Sequence, residues 1–292
     1  MTSTTVRLDT GAATTRQASP ARRRARTIDL LLGILAWVIV LLFFFPVFWM
    51  ALTGFKQESD AATDPPTFFF KPTLDQYRSA LDSALPYFTH SVIITLVSTA
   101  LVLLLALPCA YALSIAPVQG WRDTLFFFIS TKMLPIAGAI VPIYVIARDL
   151  HLLDTLLVLI ILYTAMNLPI AVWMLRSFLL EVPIEIIEAA RVDGASFQRQ
   201  LRSVILPIIS PGMAATALIC FIFAWNEFFL AVNLVTTNAA TVPIYLVSFQ
   251  TGEGQFWALL CAAATMACLP VLLAGWAAQD KLVRGLSMGA VK

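Results

Sequence analysis

Charge is what this chain has least of. Only 12% of its 292 residues are Asp, Glu, Lys or Arg, where a soluble domain carries about 25%. With 60% hydrophobic residues, the deficit excludes an ordinary soluble globule and puts most of the chain in an apolar solvent. The net charge of +2 is too small to suggest a nucleic-acid partner. Cysteine is scarce and unpatterned. Cys109, Cys220, Cys261 and Cys268 all lie inside apolar segments, with no metal-ligand spacing and no paired positions, so they read as small buried hydrophobes. His90 and His151 stand alone near the edges of apolar segments, so no metal site is expected. The chain also has no G-x-x-x-x-G-K-[ST] phosphate loop and no plausibly spaced Ser/His/Asp or Cys/His set. It is not expected to be an enzyme, to bind ATP or to carry a cofactor.

What the chain does have is long apolar runs. Residues 28–52, 86–115, 123–147, 154–175, 208–235 and 254–278 read as six membrane spans, each about long enough to cross a bilayer. Residues 1–27 read as a disordered basic tail ending in Arg22-Arg23-Arg24-Ala25-Arg26. A signal peptide is the competing reading of this start. The run after the basic cluster is too long for one, and 28–52 is expected to be an uncleaved first span. Residues 53–85 form the longest loop between spans. Leu74, Tyr77, Leu81 and Leu85 share a helical face there, so an amphipathic helix is expected on the outer surface over 73–85. Pro108, Pro135, Pro142, Pro169 and Pro270 fall inside spans and predict kinks.

The basic residues orient the chain. Arg7, Arg16, Arg22, Arg23, Arg24, Arg26, Arg122, Arg176, Arg191, Arg199, Arg202, Lys281, Arg284 and Lys292 fall on one side, only Lys56, Lys71, Arg78 and Arg148 on the other, and Lys132 within a span. The positive-inside rule puts both termini in the cytoplasm, with 279–292 as a tail.

The same rule puts the most polar internal stretch, Glu188–Pro207, in the cytoplasm. Pro183 can open a helix, and Glu185 and Glu188 suit its positive end. Ile184, Ile186, Ile187 and Val192 give that helix an apolar surface. Asp193-Gly194 signals a turn. Ser196 can cap a second short helix over 197–204, and Pro207 marks entry to the next span. Helix, turn, helix between two spans makes a compact knob. An ordinary polar loop is the alternative from composition alone.

The residues themselves favour the knob. Glu188-Ala189-Ala190, then Asp193-Gly194, then Val204-Ile205-Leu206-Pro207 resembles the EAA motif of permease subunits of bacterial ABC importers. Val204 stands where that family usually has Ile. Nearly the whole chain is similar to the MalG-like carbohydrate group of this family. The resemblance implies an all-α integral membrane protein with a MetI-like ABC permease core over 86–278. It implies cytoplasmic coupling helices at 184–207, with Glu188, Ala189, Ala190, Asp193, Gly194, Leu206 and Pro207 as the ATPase-coupling residues. It also implies partners in a bacterial inner membrane: a second permease, two ABC ATPase subunits that hold the ATP and Mg, and an extracytoplasmic substrate-binding protein. The expected activity is inward transport of a sugar or sugar alcohol. The hexapeptide Ser130-Thr131-Lys132-Met133-Leu134-Pro135 looks like permeases assigned to mannitol and sorbitol.

A few polar residues lie deep within spans. Lys132 sits about 14 Å past the inner edge of its span at 1.5 Å per residue, a costly depth for a charge. It either donates to substrate hydroxyls or pairs with an acid such as Glu227. Asn167, Trp225, Asn226 and Glu227 are further candidates for the substrate path. A rival reading makes Lys132 and Glu227 the relay of an ion-gradient-driven secondary transporter.

Overall fold

The computed structural model describes residues 20–251 and 254–290, with side chains over 28–249 and 256–281. The tail expected over 1–27 lies mostly outside the described residues, and from Pro20 onward the chain is helical rather than disordered. The chain divides into two compact units, one ending at Trp49 and one beginning at Met50. The first unit holds most of α1 (Pro20–Thr53). Its side chains are exposed and apolar all round over 30–48, which suits a helix whose solvent is lipid.

The second unit is a helical bundle. A short α2 (Glu58–Ala61) leads to α3 (Asp75–Ala112), then α4 (Trp121–Met133), α5 (Ile140–Asp149) and α6 (Leu156–Leu180). The polar stretch carries α7 (Ile184–Val192) and α8 (Phe197–Arg199). A π turn over Gln200–Ile205 joins α8 to α9 (Leu206–Ile208). Then come α10 (Ser210–Trp225), α11 (Phe229–Leu234), α12 (Val242–Val247) and α13 (Trp257–Ala290). A two-residue antiparallel pairing, Gln250–Thr251 with Gly254–Gln255, is the only sheet among the described residues. The fold is all-α.

Among the described residues, four helices are long and apolar enough to cross a membrane: 28–53, α3, α6 and 257–281. The pair 197–208 and α10, bent by 83°, brings the number to as many as five. The helix expected over 73–85 begins at Asp75 and runs without a break into the 38-residue α3, and the 279–290 stretch continues α13. One sequence expectation needs correction. The span expected over 123–147 is not one helix. Leu134 (ψ 125°) and Pro135 (ψ 118°) are extended, and a single 3₁₀ turn over Ile136–Gly138 precedes α5. The cause is local: the Pro135 ring disfavours helical backbone at Leu134.

That interrupted segment nevertheless traverses the bundle. Leu125 on α4 belongs to a core with Leu107, Leu175, Leu179, Ile187 and Ile205, at the end that carries the polar stretch. Ala147 on α5 belongs to a second core with Val158, Leu159, Leu230 and Leu234, at the opposite end.

Three carboxylates staple backbone amides that helix starts and turns leave open. Glu58 accepts from the N–H groups of Ala258 (3.1 Å) and Leu259 (3.3 Å) at the start of α13. Glu227 accepts from Leu230 (2.8 Å) and Ala231 (3.2 Å) at the start of α11. Asp154 accepts from Thr236 (2.9 Å), Thr237 (3.1 Å) and Asn238 (3.1 Å) in the loop after α11. Small residues let helices approach closely. Gly212 is an example: a Cβ there would stand 2.3 Å from the Phe178 ring.

Candidate functional site: a bent knob and an interrupted segment

The knob begins at Pro183, which fixes the entry to α7 and places Glu185 in its first turn. Its C-terminus is closed by a Schellman motif. Gly194, at φ +74°, donates to the Arg191 carbonyl (3.0 Å), and Ala195 donates to the Ala190 carbonyl (3.0 Å). Glycine is needed here because an L side chain is strained at that φ. The second helical run continues to Ile208 rather than stopping near 204. Pro207 has no N–H to give and crowds the carbonyl of Ser203, and the register upstream loosens into the π turn. Ser196 stands at the N-cap in extended backbone, but its side chain makes no capping bond.

The knob is braced from below by three side chains. Ile187 is 1% exposed and belongs to the core. Gln200 is buried, and its Nε2 donates to the Ala195 carbonyl (2.7 Å). The Tyr111 ring of α3 packs edge-on against Phe197, with centroids 5.1 Å apart, and its hydroxyl accepts from Arg191 (3.2 Å). Sequence reasoning missed Tyr111 and Gln200. Neither has a motif, and a lone tyrosine in an apolar span looks like core.

The outer face of the knob is unengaged. Glu188 is exposed and makes no hydrogen bond or ion pair with the described residues. Ala189, Asp193, Gly194, Leu206 and Pro207 are exposed, and Ala190 is half-buried. The apolar residues divide: Ile187 turns inward, while Val192 is 87% exposed. Ile184, Ile186 and Phe197 are exposed as well. The result is a braced, bent projection whose exposed surface mixes apolar side chains with acidic (Glu185, Glu188, Asp193) and basic (Arg191, Arg199, Arg202) ones.

The deep polar residues separate into different roles. Lys132 and Glu227 form no ion pair, and both oxygens of Glu227 are occupied by the α11 backbone. Trp225 is 3% exposed, donates to the Ala267 carbonyl (3.1 Å) and stacks on Phe221. It holds α10 to α13. Asn226 is exposed and donates back to the Ile222 carbonyl (2.8 Å). Asn167 is 1% exposed, and its Oδ1 has no partner. Lys132 is exposed at the edge of the broken span. Among the described residues no three His, Cys, Asp or Glu side chains could hold a metal ion.

Asp154, between two spans, has its ionisation tuned by its hydrogen bonds. Partial desolvation opposes its charge. The N–H groups of Thr236, Asn238 and Thr237, with the Thr236 hydroxyl, outweigh that and hold its pKa below the ordinary carboxylate value.

A multi-pass helical bundle with a braced, outward-facing knob between two of its spans is the architecture of a transporter's membrane subunit. Residues 102–286 match the model of the binding-protein-dependent transport system inner membrane component family, and the chain belongs to that family. Relatives agree along nearly its whole length. A probable ABC transporter permease protein, y4oR, of Sinorhizobium fredii is 37% identical, over 92% of this chain and 98% of that one. The diacetylchitobiose uptake system permease protein DasC of Streptomyces coelicolor is 36% identical, over 85% of this chain and 91% of that one. In fold, the chain resembles one in the crystal structure of a bacterial ABC transporter that imports alginate. That likeness has a TM-score of 0.72 at 21% identity and covers 92% of this chain and all of the other.

Proposed function

We propose that this chain is a membrane subunit through which a binding-protein-dependent importer moves a sugar or sugar alcohol inward. The energy comes from ATP hydrolysis on separate ATPase subunits, which hold the nucleotide and magnesium. Each ATPase grips one coupling knob, and this chain supplies the knob at 184–207. Glu188, Ala189, Ala190 and Asp193 form its contact face, Gly194 sets its bend, and Leu206 and Pro207 lead into the spans. A second, related permease completes the translocation path, and an extracytoplasmic binding protein delivers the solute. Both termini lie in the cytoplasm, as the distribution of basic residues supports.

The observation that carries this reading is the knob itself. It is fixed from below by Ile187, Gln200 and Tyr111, yet bare above, with Glu188 unpaired and Val192 87% exposed. An exposed apolar surface of this kind marks an interaction site, and its rigid mounting lets a push on the knob reach α10. The carbohydrate class is supported by the relative named for diacetylchitobiose uptake. The sugar-alcohol assignment rests on the resemblance of residues 130–135. The ion-relay alternative loses its pair, because Glu227 is spent on the α11 amides.

The test is uptake of labelled mannitol, sorbitol, trehalose and maltose in cells lacking only this chain. Loss of polyol uptake, restored by the intact gene, supports the full reading. Loss restricted to a disaccharide keeps the importer and discards the polyol. Normal uptake of all four refutes the carbohydrate assignment.

A further inference from the structure

We propose that the unwound stretch at the middle of the broken span, residues 131–137 with Lys132, is a binding subsite for a polyhydroxylated solute in the translocation path. The inference rests on the importer reading above and adds to it a site within this chain.

The backbone comes first. The 13-residue α4 rises about 20 Å at 1.5 Å per residue from the core at the knob end, and α5 reaches the core at the opposite end, so the gap between them falls partway along the bundle. There the chain leaves the helix. Among the described residues no backbone amide reaches the carbonyls of Lys132, Met133 or Leu134, and no acceptor meets the N–H groups of Ile136 and Ala137. Elsewhere the same chain keeps prolines inside continuous helices, as at Pro86, Pro108 and Pro169. The opening at Leu134–Ala139 leaves its backbone groups unmet, whereas at the break between α10 and α11 the Glu227 carboxylate meets the freed amides.

Position comes next. The unwound stretch is at the surface of the bundle: Met133 is 84% and Leu134 72% exposed, and Lys132, Pro135, Ala137 and Gly138 are exposed too. Bare backbone at that depth cannot face lipid tails, because nothing there satisfies its polar groups. It is tolerated only against protein or water. An apolar helix laid over it would strand a lysine charge together with three carbonyls and two amides. Water and solute meet those needs. The donor and acceptor pattern fits a polyol or sugar. Solute hydroxyls donate to the carbonyls of 132–134, and their oxygens accept from Lys132 Nζ and from the amides of 136 and 137. Half-helix ends meeting at the midplane are how transporters commonly build such sites.

The test uses cells expressing the complete importer. Ala137→Cys is treated with a charged, membrane-impermeant thiol reagent, with the wild-type chain and its four cysteines as the background. Labelling above background is expected, slowed at least fivefold by whichever of mannitol, sorbitol, trehalose and diacetylchitobiose the wild-type importer takes up. Lys132→Met should raise the KM for uptake of that solute at least tenfold, and Lys132→Arg should recover most of it. No labelling at 137 means the stretch is covered by protein and overturns the subsite. Labelling without protection, together with an unchanged KM, overturns it as well. If the wild-type importer takes up none of the four, the carbohydrate reading fails first, and the solute class proposed here fails with it.

Discussion

Gly194 is the residue at which geometry makes its sharpest demand on the knob. Its φ of +74° closes α7 through the two reverse bonds to Arg191 and Ala190. Three substitutions separate the possible reasons for glycine. Alanine adds a methyl with nothing within 4 Å of it, so its only cost within this chain is the left-handed backbone, about 1–2 kcal/mol. That lowers the population of the bent knob relative to its alternatives by a factor of about 5–30. Asparagine tolerates the left-handed region better and costs less. Proline demands φ near −65° and removes the N–H that reaches Arg191, so the bend is lost outright. The assay is the initial rate of ATP-dependent uptake at equal membrane levels of permease and ATPase. The expected order is Gly, then Asn, then Ala, with Pro inactive though present in the membrane. A Pro variant at the wild-type rate refutes the coupling role. An Ala variant as inactive as Pro refutes the backbone explanation, because the methyl has room here and only a partner packed on the bare Cα would exclude it.

Other perturbations probe the brace, the packing and the far end of the bundle. Gln200→Leu strands the Ala195 carbonyl it now satisfies at 2.7 Å, at a cost of about 1–3 kcal/mol. Less ATPase should be retained when the complex is purified, with insertion unchanged. Gly212→Ala drives a Cβ to 2.3 Å from the Phe178 ring and should lower the melting temperature in detergent through about 1–3 kcal/mol of overpacking. Phe178→Leu in the same chain should recover part of it. The lowered pKa of Asp154 gives a signed pH dependence. Its folded value lies below the unfolded value of about 3.9, so its contribution is full above that and is lost as pH falls through the folded value. Thermal stability should therefore hold from pH 7 to 5 and decline in acid, and Asp154→Asn should abolish that part of the acid dependence.

The parts of this architecture legible in the sequence are those set by local chemistry. Long apolar runs announced α1, α3, α6 and α13, because no other solvent suits them. Pro183 announced the start of the knob's first helix and Asp193-Gly194 its bend, because few residues other than glycine adopt the φ of +74° found at Gly194. The broken span was not legible. Proline inside a span ordinarily kinks a helix that continues, as Pro86, Pro108, Pro169 and Pro270 do, and Pro135 reads no differently until Leu134 and Pro135 are seen extended. The partners of Glu227 were also hidden. A glutamate deep in an apolar run suggests a charge partner such as Lys132, whereas the sequence does not show that α10 ends at Trp225 and exposes the α11 amides three and four residues on. Trp225, named among the path candidates, is buried and ties α10 to α13 through the Ala267 carbonyl, a partner no sequence pattern reveals. Gln200 shows the same limit from the other side. A polar residue in a polar loop looks solvated, and only the fold buries it beneath α7.

The measurement that tests the central claim most directly is the energy source of uptake. The complete complex, reconstituted in proteoliposomes with ATP held on the side of the knob, is given a labelled carbohydrate and its binding protein on the other. The account predicts accumulation that stops without ATP, persists when ion gradients are collapsed, and disappears with Gly194→Pro. Accumulation by this chain alone, indifferent to ATP and abolished by collapsing the gradient, would contradict it.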